Sequence, residues 1–389
     1  MKIVSTVNRA PWKRSLVALA ALAALAVHGA DASAQAKNDY VLGVILANTG
    51  PLAISGQLEL KGAKLRVDEI NAAGGINGHK IRLEVVDNKS DPQSTVSGVR
   101  TLLSKGIIGL IGPESTGLGT GVTPLVNAAK IPQISLQGGI DLNGSHGYVF
   151  GIHLTGSTIV KASIARMKKN GITKIGYLTT SDALGQAGDK FGMPLFAENG
   201  IQIVGGKQTI DPTGSDFTTQ LAAVKAAGAQ SVFIWATGAP NVVAAKGFKA
   251  LNMAGKLYLL NMTAAQVAPM GDATSVVLVG QTKANVFDEI SPNDPVYKNL
   301  KMFVDAAKKA GVEIDTYPAV GYGAVVVFED ALRKVGPNPQ KIYELWNGGY
   351  EPPTTVARIK WNKDVHQGFN PDDLVITSIE PSGKFKIAK

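Results

Sequence analysis

The sequence contains no cysteine among its 389 residues. This absence excludes disulfide bonds, thiolate-bound zinc, iron–sulfur clusters, a cysteine nucleophile and a lipid anchor on cysteine. Histidine is also scarce, and its five copies form no H-x-x-x-H or H-E-x-x-H pair. The sequence therefore predicts neither a metal site nor a cofactor.

Long apolar runs are missing beyond the N-terminus, where Leu16 to Val27 gives twelve apolar residues after four basic ones. Sites of the A-x-A type follow and end at Ala34 and Ala36. This pattern is typical of a cleavable secretory signal peptide, which we place at residues 1–34, with cleavage after Ala36 as the alternative. An uncleaved anchor is the competing interpretation, although twelve helical residues are too short to cross a ~30 Å hydrocarbon core.

The positive charge of the chain is partly that of the signal. Removing four basic side chains and Asp31 lowers the formal net charge from +9 to +6. The remaining lysines are dispersed, as in Lys168-Lys169 and Lys308-Lys309, without interleaved aromatic residues. We therefore expect no nucleic-acid partner.

The length and the order of elements predict two α/β domains. Apolar β-type segments alternate with helical segments, which is typical of parallel sheets covered on both faces. The fold class is therefore α/β, with two Rossmann-like lobes and a ligand cleft between the carboxyl ends of their strands. The strand candidates are 40–47, 81–86, 107–111, 131–135, 174–179, 201–204, 231–235 and 256–260.

Helix signals lie between these strands. A first helix ends at Gly74-Gly75, and a second opens at Asp91-Pro92. An apolar stripe over 296–307 predicts a helix that Asn293-Asp294-Pro295 caps, and 317–335 predicts a packed helix. From about Thr354 we expect short strands and turns.

The glycine-rich run from Gly112 to Gly121 follows a strand and precedes a helix. It lacks the lysine of a phosphate loop, and Ser115 stands in G-x-x-S-x-G instead of the G-x-S-x-G of a nucleophile elbow. Hydroxyl and backbone N–H groups remain, which suit an anion such as a carboxylate. Ordinary helix capping by Ser115 or Thr116 is the alternative.

Neighbouring carboxylates do not predict a catalytic dyad. Asp87 with Asp91 lies in a strand-to-helix turn where aspartate commonly caps, and Asp68-Glu69 fits a solvated helix face. Asp288-Glu289 lies in a predicted connector. An exported hydrolase is thus the weakest of the functional hypotheses, and the chain is predicted not to be an enzyme.

Several motifs resemble one family. They are Gly50-Pro51-Leu52-Ala53 with Gly56, the run VDEINAAGGING from Val67 to Gly78, Asp91-Pro92, Ile111-Gly112-Pro113, Ile131-Pro132 with Ile134-Ser135, and Lys360-Trp361-Asn362. Together they resemble the leucine/isoleucine/valine-binding proteins, which are type I periplasmic solute-binding proteins of ABC importers. The resemblance extends over the whole chain beyond the signal.

The resemblance implies a type I periplasmic binding protein fold whose two lobes are joined by three hinge crossovers. These should fall near 154–158, 284–290 and 366–370. The N-terminal lobe would comprise 37–156 plus 288–367, and the C-terminal lobe 157–287 plus 368–389.

The resemblance also implies the ligand-binding residues. The candidate carboxylate cradle is Ser115, Thr116, Gln137, Gly138 and Gly139. The other matched positions are Ser55, Leu184, Thr237, Met262 and Thr263.

Several matched positions depart from the family pattern. Gly139 replaces a threonine, Leu184 a tyrosine and Ser55 an aromatic residue, and no acid stands near Met262 to receive a ligand's α-ammonium. Because a buried ammonium needs a carboxylate partner, we expect a small carboxylate without one: an aromatic acid, a 2-oxo acid or another organic acid. The alternative is an amino-acid ligand, branched-chain or other, whose ammonium Asp182 or Asp288 receives.

The functional hypothesis is a monomeric solute-binding protein of the periplasm. It would bind a small-molecule carboxylate by hinge closure and deliver it to the membrane permease of an ABC importer. A ligand sensor of the same fold is the alternative that cleft residues do not separate from it.

Overall fold

The computed structural model describes residue 1, residues 38–137, residue 142 and residues 146–389. The predicted signal peptide therefore lies outside the described residues, apart from Met1. Residues Asp39–Lys389 form one compact unit.

The first sheet has five parallel strands in the order β2-β1-β3-β4-β5. Its interior strand β1 reads YVLGVIL and is buried along nearly all of its length, because both faces of the sheet are covered. The strands are β1 (Tyr40–Leu46), β2 (Ile81–Asp87), β3 (Gly109–Ile111), β4 (Gln133–Ser135) and β5 (Val149–Gly151).

Four helices connect these strands: α1 (Ala53–Ala72), α2 (Pro92–Ser104), α3 (Thr116–Gly119) and α4 (Thr123–Ala129). The glycine pair and the aspartate cap predicted from the sequence do stand at the ends of these helices. Gly74 and Gly75 follow α1 with φ values of 93° and 80°, a region that glycine enters without a steric penalty. Asp91 caps α2, since its carboxylate accepts the N–H of Ser94 at 2.7 Å.

The second sheet has seven strands in the order β12-β11-β10-β9-β8-β6-β7. The strands β6 to β10 are parallel, whereas β11 runs antiparallel to both β10 and β12. The strands are β6 (Lys174–Thr180), β7 (Gln202–Ile210), β8 (Ser231–Trp235), β9 (Leu257–Leu259), β10 (Val277–Thr282), β11 (Leu374–Ile379) and β12 (Phe385–Ile387).

The remaining helices belong to two groups. Those that accompany the second sheet are α5 (Gly156–Lys169), α6 (Ala183–Ala187), a π-helical turn (Gly188–Gly192), α7 (Met193–Glu198), α8 (Thr218–Ala226), α9 (Ala239–Ala250) and α10 (Val267–Met270). Those that follow β10 are α11 (Tyr297–Ala310), α12 (Thr316–Val335) and α13 (Pro339–Asn347). Short 3₁₀ segments cover Ala264–Gln266, Gly271–Val276, Lys283–Glu289 and Pro371–Asp373.

The chain passes between the two sheets three times. It first passes from the first sheet to the second sheet after β5. It then leaves the second sheet through the 3₁₀ segment Lys283–Glu289, and it returns to that sheet before β11. Between the last two passages it packs on the first sheet, where Phe150 of β5 meets Trp346 of α13 with ring centres 5.3 Å apart. The predicted α/β class and two-lobe architecture are thus confirmed.

Helices α1 and α12 are in backbone contact. A Cβ at Gly62 of α1 would overlap the carbonyl oxygen of Pro318, and one at Gly321 of α12 would overlap that of Glu59. Two glycines therefore let these helices approach closely. This approach determines where Glu59 and Tyr317, at the start of α12, lie relative to each other.

Some elements differ from their predictions. The strands β5 and β10 and the helix α13 were not predicted, because the two strands are short segments and 339–347 lies beyond the predicted packed helix. Helix α11 begins at Tyr297, and the side chain of Asp294 accepts the N–H of Val296 and binds Lys283 instead of capping the helix conventionally. Among the described residues, no helix has the combination of length and apolar character that a membrane span requires.

Candidate ligand-binding site

Loops from both sheets meet around a cavity of about 60 Å³, which we call the inner chamber. The first-sheet side and α12 contribute Ser55, Glu114, Ser115, Thr116, His153 and Tyr317. The second-sheet side contributes Leu184, Thr237, Leu260 and Asn261. Its position at the carboxyl ends of parallel strands is the one expected for a ligand in this class of fold.

A larger cavity of about 440 Å³, the outer chamber, adjoins the inner one. The two chambers share Leu52, Ser55, Thr237 and Tyr317. Apolar side chains dominate the outer walls, among them Pro51, Ile54, Val242, Val243 and Pro269. The pair of chambers thus combines a small polar end with a wide apolar one.

Ser115 and Thr116 present hydroxyl groups to the inner chamber. Ser115 begins α3 with an extended backbone, and its carbonyl accepts the N–H groups of Leu118 and Gly119. Its side chain makes no capping hydrogen bond. The hydroxyl oxygen of Thr116 is buried and has no hydrogen-bond partner among the described residues. The side chains are therefore not used as caps, which leaves them available to a ligand.

Glu114 brings a carboxyl group to the same chamber. Its side chain accepts the main-chain N–H of Ala47 at 3.3 Å and the amide of Asn88 at 3.1 and 3.4 Å. The residue is only 9% exposed. Burial raises the pKa of Glu114 to about 7, even though these hydrogen bonds act in the opposite direction.

Glu59 lies on α1 one turn after Ser55, in a position that is fully buried. Neither of its carboxyl oxygens has a hydrogen-bond partner in the described part of the chain. Burial, with a contribution from the charge of Glu114, raises the pKa of Glu59 well above its usual value. Burial therefore favours the protonated form of this carboxyl group relative to a glutamate in water.

His153 and Tyr317 complete the titratable groups of the inner chamber, with their rings 6.0 Å apart. Burial lowers the pKa of His153 to about 4, so its imidazole is neutral at neutral pH. Burial also raises the pKa of Tyr317, and the nearby acids Glu59 and Asp315 add to that rise. Neither group supplies positive charge.

The charge balance of the two chambers is one-sided. No lysine or arginine lines either of them, as far as the described residues show. No group of three or more histidine or acidic side chains in the described ranges could hold a metal ion. The chambers are therefore suited to an organic molecule whose charge needs no lysine, arginine or metal ion of the protein to balance it.

Most of the residues implied by the resemblance are brought together. Five of them, Ser55, Ser115, Thr116, Leu184 and Thr237, line the inner chamber, and Thr263 lines the outer one.

Two implied residues do not line the chambers. Met262 is buried in the apolar core of the second sheet. The side chain of Gln137 packs against Gly119 beneath α3, where it supports the loop instead of facing the cavity. Gly138 and Gly139 lie outside the described residues.

The alternative acceptors of a ligand's ammonium lie elsewhere. Asp182 accepts the N–H of Gly185 and caps α6. Asp288 pairs with Lys384 at 3.0 Å on the surface. Neither lines a chamber.

Sequence reasoning missed Glu114, Glu59, Tyr317 and Asn261. Glu114 directly precedes Ser115, but only hydroxyl and N–H groups of that loop entered the motif argument. Tyr317 reaches the cleft, and Glu59 comes to lie near it, through the packing of α12 on α1, for which the sequence carries no local signal. His153, expected near the cleft if the first crossover fell there, does line the inner chamber.

Comparisons with known proteins agree with this architecture. A family model described as periplasmic binding protein matches residues 40–374. Leu/Ile/Val-binding protein homolog 1 of Brucella suis biovar 1 (strain 1330) is 26% identical over 350 residues, covering 85% of this chain and 87% of that protein. Leu/Ile/Val-binding protein BraC3 of Rhizobium johnstonii is 33% identical over 109 residues, which cover 26% of this chain and 30% of its own.

Solved structures share the fold. An extracellular ligand-binding receptor from Rhodopseudomonas palustris HaA2 superposes with a TM-score of 0.80 at 19% identity, covering 90% of this chain and 99% of that one. The binding protein LivJ from Streptococcus pneumoniae, solved in complex with isoleucine, has a TM-score of 0.74 at 21% identity, with coverages of 90% and 99%. At these identities the structural likeness establishes the fold alone.

The family model covers most of the chain, and the resemblance to the leucine/isoleucine/valine-binding proteins is confirmed. Members of this family are periplasmic, bind small molecules and work with the permeases of ABC transporters. They are not enzymes. The chain belongs to the periplasmic binding protein family, as a solute-binding protein of the branched-chain amino acid ABC transporter type.

Proposed function

We propose that this chain captures a small organic carboxylate in the two chambers and delivers it, as a monomer, to the permease of an ABC importer. A cleaved signal peptide over residues 1–34 would bring it to the periplasm. The observation that carries the ligand class is the buried hydroxyl of Thr116, next to Ser115 in the inner chamber, which has no hydrogen-bond partner among the residues that the structure describes.

The carboxylate end of the ligand belongs in the inner chamber. A buried hydroxyl without a hydrogen bond costs about 1–3 kcal/mol, and a carboxylate oxygen is an acceptor that removes this cost. Ser115 adds a second hydroxyl at the start of the same loop. Ser115 is the last residue before α3 and Thr116 is the first residue of that helix, so one short segment orients the carboxylate.

The body of the ligand belongs in the outer chamber. Its volume of about 440 Å³ falls within the ~300–1,000 Å³ of small-molecule pockets. Val242, Val243 and Pro269 offer apolar contacts. An aromatic ring or a branched aliphatic chain gains most from such walls, because burial of apolar area stabilises by ~25 cal/mol per Å².

The predicted preference for a carboxylate without an ammonium group depended on the missing acid near Met262. Glu114 lies on the opposite side of the cleft and does line the inner chamber. An amino acid with an apolar side chain is therefore the second candidate, beside aromatic, 2-oxo and other organic acids. The specific observation in its favour is this carboxyl group.

Closure of the two lobes is the proposed mechanism of capture. The three passages between the sheets provide the hinges, and Leu184, Thr237 and Asn261 would approach the first-sheet loops as the cleft closes. Binding energy then stabilises the closed form that a permease recognises.

A thermal-shift screen tests the ligand class. The probes are leucine, phenylalanine and their analogues without the amino group, 4-methylpentanoate and 3-phenylpropanoate, together with benzoate and 2-oxo acids. A probe at 100 times its dissociation constant should add ~2.7 kcal/mol of stability. If no carboxylate of either class raises the melting temperature, the proposal is wrong.

A double variant tests the cradle. Ser115→Ala with Thr116→Ala should weaken carboxylate binding at least tenfold, since two hydrogen bonds to a charged group are lost. Ser97→Ala with Thr101→Ala is the matched control, because both hydroxyls are exposed on α2, away from the chambers. Equal affinity of both double variants would rule out the cradle.

An uptake assay distinguishes the importer from a sensor. Cells that lack this chain but keep their permease should lose high-affinity uptake of the identified ligand and regain it on complementation. Unchanged uptake, together with lost transcriptional response to the ligand, would favour the sensor.

A further inference from the structure

Two buried carboxyl groups lie at or directly behind the wall of the inner chamber, and none of the described residues that line it is a lysine or arginine. Glu114 lines the chamber directly. Glu59 projects from α1 one turn below Ser55, which lines both chambers, and helical side chains tilt toward the helix N-terminus. Glu59 therefore lies buried behind the residues that line the chamber, close enough to Glu114 for the charge of Glu114 to raise the pKa of Glu59. We call Glu59 and Glu114 the acid pair.

The two members of the acid pair differ in their partners. Glu114 accepts hydrogen bonds from Ala47 and Asn88. Glu59, which is fully buried, has none for either oxygen within the described ranges. Buried polar groups are nearly always satisfied, so an orphan carboxyl beside a cavity points to a ligand group or a proton that is not part of the protein.

We infer that the acid pair is a subsite for a protonated amino group of the ligand, and that occupation of this subsite releases a proton from the pair to solvent. The inference rests on the proposed function and deepens it: a molecule that also places a carboxylate on Ser115 and Thr116 would be a zwitterion. The subsite lies on the first-sheet side of the cleft, across from Met262, where the family pattern has its acid.

The charges around Glu114 support this assignment. Glu59 faces Glu114 from α1, and the charge of Asp87, at the end of β2, also acts on Glu114. His153 and Tyr317 line the same chamber. His153 is neutral near pH 7, and the described part of the chain contributes no lysine or arginine to the chamber wall. A carboxylate ligand alone would add a third acidic group to this site, whereas an ammonium group compensates the pair.

The proton balance follows from this arrangement. In the empty cleft the carboxyl group of Glu114 is about half protonated at pH 7, because its pKa is about 7. An arriving R–NH₃⁺ favours the carboxylate form, so the carboxyl proton leaves to the buffer and the N–H groups of the ligand donate to the carboxylate oxygens. No covalent bond of the ligand is made or broken.

Two measurable consequences follow for an amine-bearing ligand. Its affinity should rise about tenfold between pH 6 and pH 8, because deprotonation of Glu114 no longer opposes binding. At pH 7 about half a proton should be released per ligand bound, and more at pH 6.

Isothermal titration calorimetry of the mature chain tests the inference in phosphate and Tris, whose ionisation enthalpies differ, at pH 6, 7 and 8. The probes are phenylalanine, leucine, 3-phenylpropanoate, 4-methylpentanoate and phenethylamine. We expect phenylalanine or leucine to bind with proton release and at least tenfold more tightly than the analogue without the amino group.

Other outcomes separate this inference from the proposed function. If the analogues without the amino group bind as tightly as the amino acids, or no proton is released, the subsite is refuted while the carboxylate function stands. Binding of phenethylamine with proton release, as tight as that of phenylalanine, would support the subsite and contradict the cradle. Absence of binding by all five probes contradicts the subsite, and it contradicts the proposed function as well if benzoate and the 2-oxo acids also fail to bind.

A substitution locates the proton. Glu114→Gln should abolish the pH dependence and lower the affinity for the amine-bearing probe at pH 8 at least tenfold. Glu313→Gln is the control, an exposed carboxyl outside both chambers. Circular dichroism verifies the fold, and the proton count of the unmodified chain remains decisive if Glu114→Gln fails to fold. Unchanged proton release in a folded Glu114→Gln variant would refute the assignment.

Discussion

The side-chain amide of Asn88 donates to both carboxyl oxygens of Glu114, over 3.1 and 3.4 Å. A hydrogen bond to the charged form of a carboxyl group lowers its pKa. Asn88, itself fully buried, thus keeps the pKa of Glu114 from rising further above its ordinary value.

Replacement of this amide should move the titration of Glu114. In Asn88→Ala we expect the pKa of Glu114 to rise, so the affinity for an amine-bearing probe reaches its plateau at a higher pH than in the unmodified chain. Calorimetric titrations from pH 6 to pH 9 measure this. Asn71→Ala is the control, since the side chain of Asn71 bonds the backbone of Ile81 and lines neither chamber, and it should leave the pH profile in place. An unshifted profile in Asn88→Ala would contradict the role.

The stability of the protein without ligand should also depend on pH through the raised pKa of Glu114. The pKa of Glu114 is about 7 when folded and near 4.3 when unfolded, so the folded state holds the extra proton between these values. Its contribution to stability is therefore present below about pH 4.3 and falls by about 3 kcal/mol as the pH rises to about 7.

His153 acts in the opposite direction over a similar range. Its folded pKa of about 4 lies below the unfolded value, so its contribution to stability rises with pH. The test therefore compares the unmodified chain with Glu114→Gln, so that the contribution of His153, which both share, cancels. The free energy of unfolding in urea, relative to that of Glu114→Gln, should decline between pH 4.5 and pH 7.5. A constant difference would show that the pKa of Glu114 is not raised.

The orphan carboxyl of Glu59 should cost stability in the empty protein. We expect Glu59→Met, which removes an unsatisfied buried group at similar length, to raise the free energy of unfolding by about 1–3 kcal/mol. The same variant should bind an amine-bearing probe more weakly. Urea unfolding and calorimetry measure the two effects.

A partnered glutamate provides the control for this substitution. Glu329 on α12 binds Arg66 at 2.7 Å and Arg333 at 2.9 Å. Glu329→Met should therefore destabilise the chain by about 1.5–3 kcal/mol, because charged hydrogen bonds are lost. If Glu59→Met destabilises as much as Glu329→Met, then Glu59 has partners that stabilise it.

The contact between α1 and α12 should tolerate no side chain at Gly62. Gly62→Ala places a methyl group on the carbonyl of Pro318, and backbone atoms cannot rotate away. We expect a loss of at least ~1–3 kcal/mol in stability and weaker ligand binding, because Glu59 and Tyr317 shift apart. Gly247→Ala is the control, since its methyl group meets only the flexible end of Leu221. Similar thermal melts for the two variants would contradict this.

Local patterns in the sequence were sufficient for much of the fold. The apolar run of β1, the glycine pair after α1 and the Asp91 cap each act within a few residues, so their signals are readable from the sequence alone. The boundaries of α12 also followed from its continuous apolar character. The strands β5 and β10 were not predicted, because segments of three and six residues acquire strand character only by pairing with neighbours that are distant in sequence.

The site residues likewise differ in whether a local sequence pattern indicates them. Ser115 and Thr116 were found because they stand in a strand–turn–helix context that is visible in the sequence. Gln137 and Met262 were expected to face the ligand, yet their side chains turn into packed interior positions, and a single sequence does not record side-chain direction.

The amino-acid sequence by itself determined the family, the alternation of strands and helices, and the loop that carries the hydroxyl groups, because these depend on local composition and spacing. Only the tertiary structure decided the electrostatics of the cleft. It placed Glu59 of α1 and Glu114 of the loop after β3 close together in a buried region beside Tyr317 of α12, where no lysine or arginine among the described residues lines the inner chamber. The pKa of a carboxyl group depends on burial and on nearby charges, and both are set by packing between segments far apart in the chain.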